Sequence, residues 1–118
     1  MHTREQIIKD YLGKLVHVEV DRPIGYLHGG IVYPVNYGYI PGTMAPDGEA
    51  QDAYILGVDV PIEEFYGQVI GAIRRKNDVE DKLIAGPPGA KYTAEEMAAA
   101  IHFQEQYYDT YIEAFEGE

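Results

Sequence analysis

Residues 53–73 read AYILGVDVPIEEFYGQVIGAI, two apolar runs (Ala53–Val60 and Gly67–Ile73) joined by the short connection VPIEEF. Runs of this length rich in Val and Ile are buried strands, and so short a link predicts that the two are antiparallel neighbours. Working outward, LIAG after Lys82 reads as a shorter strand. Upstream, KLVHVEVD alternates Val16, Val18 and Val20 with His17, Glu19 and Asp21, the period-two pattern of a half-buried strand. Between these, residues 25–43 are rich in Gly and Tyr, and YPVNYGYIPG fits neither a helix nor a regular strand. Helices are expected at both ends. Thr3 and Gln6 have capping-box spacing ahead of Ile7, Tyr11 and Leu12, with Gly13 as the stop. Thr93 and Glu96 repeat that spacing, and no Gly or Pro interrupts the chain from there to Phe115, which predicts one long C-terminal helix. Met97, Ile101, Tyr108, Ile112 and Phe115 would share its packing face. The expected fold is mainly β with flanking helices (α+β), a small curled sheet or barrel in a single domain over residues 1–118.

The chain carries nine Lys and Arg against twenty Asp and Glu, a formal net charge of −11. Nucleic acid and anionic membrane surfaces are therefore disfavoured partners, because both are held by surplus cations. With no cysteine, thiolate metal sites and cysteine nucleophiles are excluded, in keeping with a reducing cytoplasm. The first residues, MHTREQIIKDYLGK, hold no continuous apolar stretch and read as neither a signal peptide nor a spanning helix.

Chemistry is concentrated where cations are missing. No Lys or Arg occurs from Pro23 to Ile73, yet Asp47, Glu49 and Asp52 fall within six residues of that window. Carboxylates gathered in this way suit a hard cation such as Mg²⁺; the alternative is a solvated acidic turn around Pro-Asp-Gly. The second concentration is RRKNDVEDK, Arg74 to Lys82. There Asp78 and Asp81 could complete a metal site, with Arg74 or Lys82 holding an anionic substrate, or the segment could be a salt-bridged hairpin. His2, His17, His28 and His102 show no metal-ligand spacing and read as structural. Neither a phosphate loop nor a GxGxxG turn is present.

Taken in order, YPVNYGYIPGT, DGEAQD, EDKLIAGP and HFQEQYYD resemble the blocks of the soluble, metal-dependent inorganic pyrophosphatases, of the family I type. The resemblance spans roughly Val16 to Asp109, and the chain looks like a short, trimmed, bacterial-like member. It implies a small OB-like β-barrel and hydrolysis of inorganic pyrophosphate to two phosphates by a metal-activated water. By the same resemblance Asp47, Glu49 and Asp52 coordinate Mg²⁺, with Glu49 helping to take the water's proton. Tyr37, Lys82 and Tyr107 match phosphate-contacting residues, and Arg22 matches the phosphate-binding arginine. Asp81 matches a further metal ligand, as does Asp78, with Asn77 competing for the latter position. A cytoplasmic homo-oligomer is the corresponding expectation.

The sequence departs from the family pattern at definite places. Too little chain separates the first strand from the tyrosine block to hold the usual upstream strand pair, and Tyr108 stands where a lysine is usual. Two other readings therefore stay open: a non-catalytic binder of a metal–phosphate or nucleotide ligand, and a hydrolase of another phosphoanhydride such as a nucleoside polyphosphate.

Overall fold

A computed structural model describes residues 3–78 and 80–117. Its frame is a closed barrel of five strands: β1 (Leu15–Arg22), β4 (Asn36–Ile40), β5 (Gln51–Ile55), β7 (Lys82–Gly86) and β6 (Glu64–Arg75). Pairing of β1 with β6 closes the ring, and β8 (Thr110–Ala114) extends the sheet from the outer half of β6. A two-stranded hairpin, β2 (Leu27–His28) with β3 (Ile31–Val32), occupies part of the Gly- and Tyr-rich segment. Helices α1 (Arg4–Tyr11) and α2 (Ala94–Glu105) complete the fold. Among the described residues no helix is long and apolar enough to cross a membrane. His2 lies outside the described residues.

Two apolar clusters follow from strand alternation. Val18, Ile40, Ala53, Ile55, Val69, Leu83 and Ala85 pack together inside the barrel with Ile7 and Ile8 of α1, and Val16 and Val20 lie against them. Residues of opposite parity, Tyr37, Tyr54 and Ile84, face outward and pack with Tyr33 against Met97 and Ile101 of α2. A register shift between Val69 and Gly71 lets β6 serve both clusters, with Val69 and Ala72 in the first and Ile70 and Ile73 in the second. The expected box forms in full at α2, where Thr93 and Glu96 are reciprocal, and in half at α1, where the Thr3 hydroxyl accepts from the Gln6 amide while the Gln6 side chain turns to Asp10.

Three expectations are corrected. First, β5 and β6 are not neighbours. β7 lies between them, parallel to β5 and antiparallel to β6, because the VPIEEF connection carries the chain over to β1, where Glu64–Gln68 close the barrel. Second, residues 36–40 form a regular, mostly buried strand. Gly38 is needed there for close approach, since a Cβ at that position would lie 1.8 Å from the Glu19 carbonyl oxygen of β1. Third, the C-terminal helix stops at Glu105. Thr110, Tyr111 and Ile112 are β-branched or aromatic, and the free edge of β6 offers them hydrogen-bonding partners that outweigh a helix lacking explicit breakers.

Candidate functional site

Outward-facing residues of β4, β5 and β7 meet the first loops beyond α2 to form a polar pocket of ≈ 320 Å³ lined by Arg22, His28, Tyr33, Tyr37, Asp52, Arg75, Asp78, Glu80, Lys82, Gln104 and Tyr108. At its centre Asp52 Oδ2 accepts from the Tyr37 hydroxyl at 2.6 Å and from Lys82 Nζ at 2.7 Å. Lys82 also donates to Glu80 Oε1 at 2.9 Å. Arg22 donates to the Tyr33 hydroxyl at 2.7 Å, its guanidinium 5.5 Å from the Tyr37 ring centroid. Among the described residues no carboxylate forms an ion pair with Arg22, so its positive charge is available to an incoming anion.

Electrostatics separates these groups. Burial pushes the Glu80 carboxyl above its ordinary value, Lys82 opposes the shift, and the charges of Asp47 and Asp52 add to it. Among the described residues its Oε2 is buried without a hydrogen-bond partner. Burial opposes charge on Lys82, but Asp52 and Glu80 reverse this and hold the ammonium charged. Burial, followed by the Asp52 charge, lifts the Tyr37 phenol well above its ordinary range, so Tyr37 is a donor and not an anion. Burial and Asp52 likewise raise Asp21 at the end of β1.

An orphaned carboxylate oxygen sharing a lysine with a second acid, Asp52, offers oxygen donors suited to a hard dication. Mg²⁺ needs only one or two protein carboxylates, with water and phosphate supplying the rest. The residues present fit it. Asp47 and Glu49 lie on an exposed turn in which Asp47 Oδ1 accepts from the Glu49 amide at 2.9 Å. Among the described residues, Asp47, Glu49 and Asp52 do not bring three ligand atoms within 4.8 Å of one another.

Of the expected site residues, the pocket thus contains Arg22, Tyr37, Asp52, Asp78 and Lys82, with Asp47 near enough to act on Glu80. Three others lie elsewhere. Asp81, expected as a metal ligand, is buried on the opposite side of the chain from Lys82 and accepts from Arg4 Nη2 at 2.5 Å, Arg74 Nε at 3.0 Å and the Arg75 amide at 2.9 Å. Arg74, expected to hold substrate, is consumed by Asp81, Glu113 and Glu5. It lines a larger cavity of ≈ 770 Å³ with Arg4, Lys76 and Tyr111, where the buried charges are already paired. The smaller pocket is the better site because, among the described residues, it holds a buried carboxylate oxygen without a partner and a guanidinium without a carboxylate partner. Tyr107, expected at phosphate, is 64% exposed on the turn after α2. Tyr108, expected on a helical packing face, lines the pocket and lies over the Arg75 guanidinium at 3.6 Å. With the helix ended at Glu105, helical phase no longer sets either direction. Asp78 receives Arg75 Nη1 at 3.0 Å.

Glu80, Arg75, Tyr33 and Tyr108 were not anticipated. Parity carried the signal for Glu80: two residues before Lys82 it shares the same side, whereas Asp81 must take the other. Among the described residues of RRKNDVEDK, Arg74–Asp81, Arg75–Asp78 and Lys82–Glu80 are ion pairs, as the salt-bridged alternative expects.

The model of the inorganic pyrophosphatase family matches residues 6–116. An inorganic pyrophosphatase of Caulobacter vibrioides is 39% identical over 85 residues, covering 64% of this chain and 48% of that protein. The corresponding Gluconobacter oxydans protein is 33% identical over 85 residues, covering 64% and 49%. The chain spans about half the length of the curated relatives it matches. A solved inorganic pyrophosphatase from Ehrlichia chaffeensis superposes with a TM-score of 0.70 at 18% identity, over 90% of this chain and 89% of that one, a likeness of fold.

Proposed function

The chain belongs to the inorganic pyrophosphatase family, and on that premise we propose that it hydrolyses inorganic pyrophosphate to two phosphates in the pocket around Asp52. The observation that carries this reading is the convergence of an unpaired Arg22, a charged Lys82 and a neutral Tyr37 on one side with Asp52 and the orphaned Glu80 oxygen on the other. Cations and a phenolic donor suit phosphate oxygens; free carboxylate oxygens suit Mg²⁺. Asp52 and Glu80 would hold the ion, with Asp47 and Glu49 reaching in from the exposed turn. Bound there, Mg²⁺ supplies neutralisation of the substrate's charge and lowers the pKa of a water.

Each side chain has a separable task. Arg22 orients one phosphate. Lys82 is steadied by Asp52 and Glu80 until substrate competes for its ammonium protons. Tyr37, kept protonated, donates to Asp52 or to a phosphate oxygen in its place. Glu49, exposed on its turn, is the candidate to accept the water's proton. Arg75 is tied up by Glu105 and Asp78, so it walls the pocket more than it binds substrate. Fixed groups aimed at developing charge, with no covalent intermediate, are sufficient for phosphoryl transfer.

Phosphate release from pyrophosphate in millimolar Mg²⁺ tests the proposal, with nucleoside triphosphates in parallel to define the substrate. Asp52→Asn is expected to lower turnover by roughly 10²–10³-fold. Equal inactivity of wild type and Asp52→Asn on pyrophosphate would overturn it. The same reading makes the protein a cytoplasmic homo-oligomer. Exposed Leu27 and Val32 on the β2–β3 hairpin and Val60 support the second part, and sedimentation would check it.

A further inference from the structure

We propose that His17, Glu19 and Glu64 form a second metal site, separate from the pocket around Asp52, which takes a borderline transition-metal dication such as Zn²⁺ and ties together the seam that closes the barrel. Glu19 of β1 and Glu64 of β6 are direct cross-strand partners, and His17 lies two residues before Glu19 on the same face. His17 Nε2 is 2.9 Å from Glu64 Oε1 and 3.1 Å from Glu19 Oε2, and all three donor atoms lie within 4.8 Å of one another. Ligands at about 2.0–2.1 Å from a tetrahedral Zn²⁺ stand about 3.4 Å apart. The two histidine–carboxylate pairs therefore need to spread by only a few tenths of an ångström to admit the ion.

Three features point to a metal and away from a simple hydrogen-bonded cluster. One ring nitrogen is shared between two carboxylates, and a single N–H serves only one of them well. Like charges directly opposite across a strand pair repel, and among the described residues neither glutamate forms an ion pair with Lys or Arg. Finally, the ring is already oriented: His17 stacks on Tyr66, its own cross-strand partner, at a centroid separation of 4.4 Å and an interplanar angle of 10°. One imidazole with two carboxylates suits Zn²⁺ or Co²⁺, whereas the all-oxygen donors of the pocket suit Mg²⁺.

The register Glu64–Glu19–Tyr39–Asp52 runs as one row across β6, β1, β4 and β5, so both sites lie on the same outer wall, two strands apart. An ion on the β1–β6 pair would cross-link residues 47 apart in sequence. Binding to the folded chain alone raises its stability by mass action.

The test uses the full chain, stripped of metal by a chelator and titrated with Co²⁺ and then Zn²⁺ in the presence of millimolar Mg²⁺. Wild type is expected to bind one Co²⁺ with visible absorption typical of low coordination number, and Zn²⁺ should raise its unfolding midpoint. Both effects should weaken at least tenfold in His17→Ala and Glu64→Gln and persist in Asp52→Asn and His28→Ala. Retention of the wild-type spectrum and affinity, within twofold, by His17→Ala would overturn the proposal. Imidazole resonances of the unmodified chain give a readout independent of any variant. His17 should shift at the first equivalent of Zn²⁺, and a first equivalent that moves another histidine and leaves His17 unchanged also overturns it.

Discussion

Asp81 and Glu80 are consecutive carboxylates with opposite surroundings. Asp81 faces α1 and sits among Arg4, Arg74 and the Arg75 amide, with both oxygens satisfied. Glu80 faces the pocket, shares one lysine with Asp52 and keeps one buried oxygen unpartnered. A satisfied buried carboxylate holds structure together, whereas an unsatisfied one carries a cost that persists only where something binds. The difference between the two neighbours is thus a guide to role, and it comes from which side of the chain each occupies, not from residue type.

Breaking the saturated side should have the largest effect. Asp81→Ala removes the carboxylate shared by Arg4 and Arg74 and is expected to cost about 3–5 kcal/mol of stability, read from urea unfolding. If stability is unchanged, the knot does not hold α1 to the barrel. On the pocket side the sign should reverse. Because burial and the neighbouring acids penalise the ionised Glu80, Glu80→Gln should raise the metal-free unfolding midpoint at pH 7 while reducing phosphate release. A fall in both would remove the contrast.

A smaller effect separates the second buried ion pair. Glu105 accepts from Arg75 Nε at 3.0 Å and Nη2 at 2.6 Å and from the Tyr54 hydroxyl at 2.6 Å. Burial, then the Glu105 charge, raises the Tyr54 phenol far above its ordinary value of 10.0. The folded state keeps this proton while the unfolded state loses it. Stability from Tyr54 is therefore complete below pH 10 and lost as pH climbs from there toward the folded value, by up to about 1.4 kcal/mol per pH unit. Tyr54→Phe should flatten that part of the alkaline slope, leaving the contribution of Tyr37. Smallest of all, Tyr107→Phe should change turnover less than twofold, since its ring is 64% exposed outside the pocket.

Much of the frame was legible from local pattern. The alternation of Val16, Val18 and Val20 placed β1, the Thr3 and Thr93 caps placed both helix starts, and Asp52, Lys82, Tyr37 and Arg22, named from motifs, line one pocket. What escaped depends on partners far along the chain. The helix expected through Phe115 gives way to β8 because β6 has an edge to offer, and Arg75 captures Glu105 and Tyr108 where the helix ends. The side of the chain that Asp81 and Glu80 each take is set by strand parity, which a motif read by resemblance does not carry. The pairing of His17 with Glu64 is likewise set by strand register and by nothing local to His17.

The β1–β6 seam also governs how the chain must fold. β1 precedes the other described strands, yet its partner Glu64–Gln68 arrives only after β4 and β5, and β7, parallel to β5, follows later still. Loop-closure entropy is spent before these distant pairings return contacts, which places folding on the millisecond-to-second scale of sheet-rich domains and not the microsecond scale of helical ones. During synthesis β1 waits with an unpaired edge. His17 and Glu19 on that strand, polar and charged where a neighbouring chain would otherwise pair, guard the edge until the barrel closes.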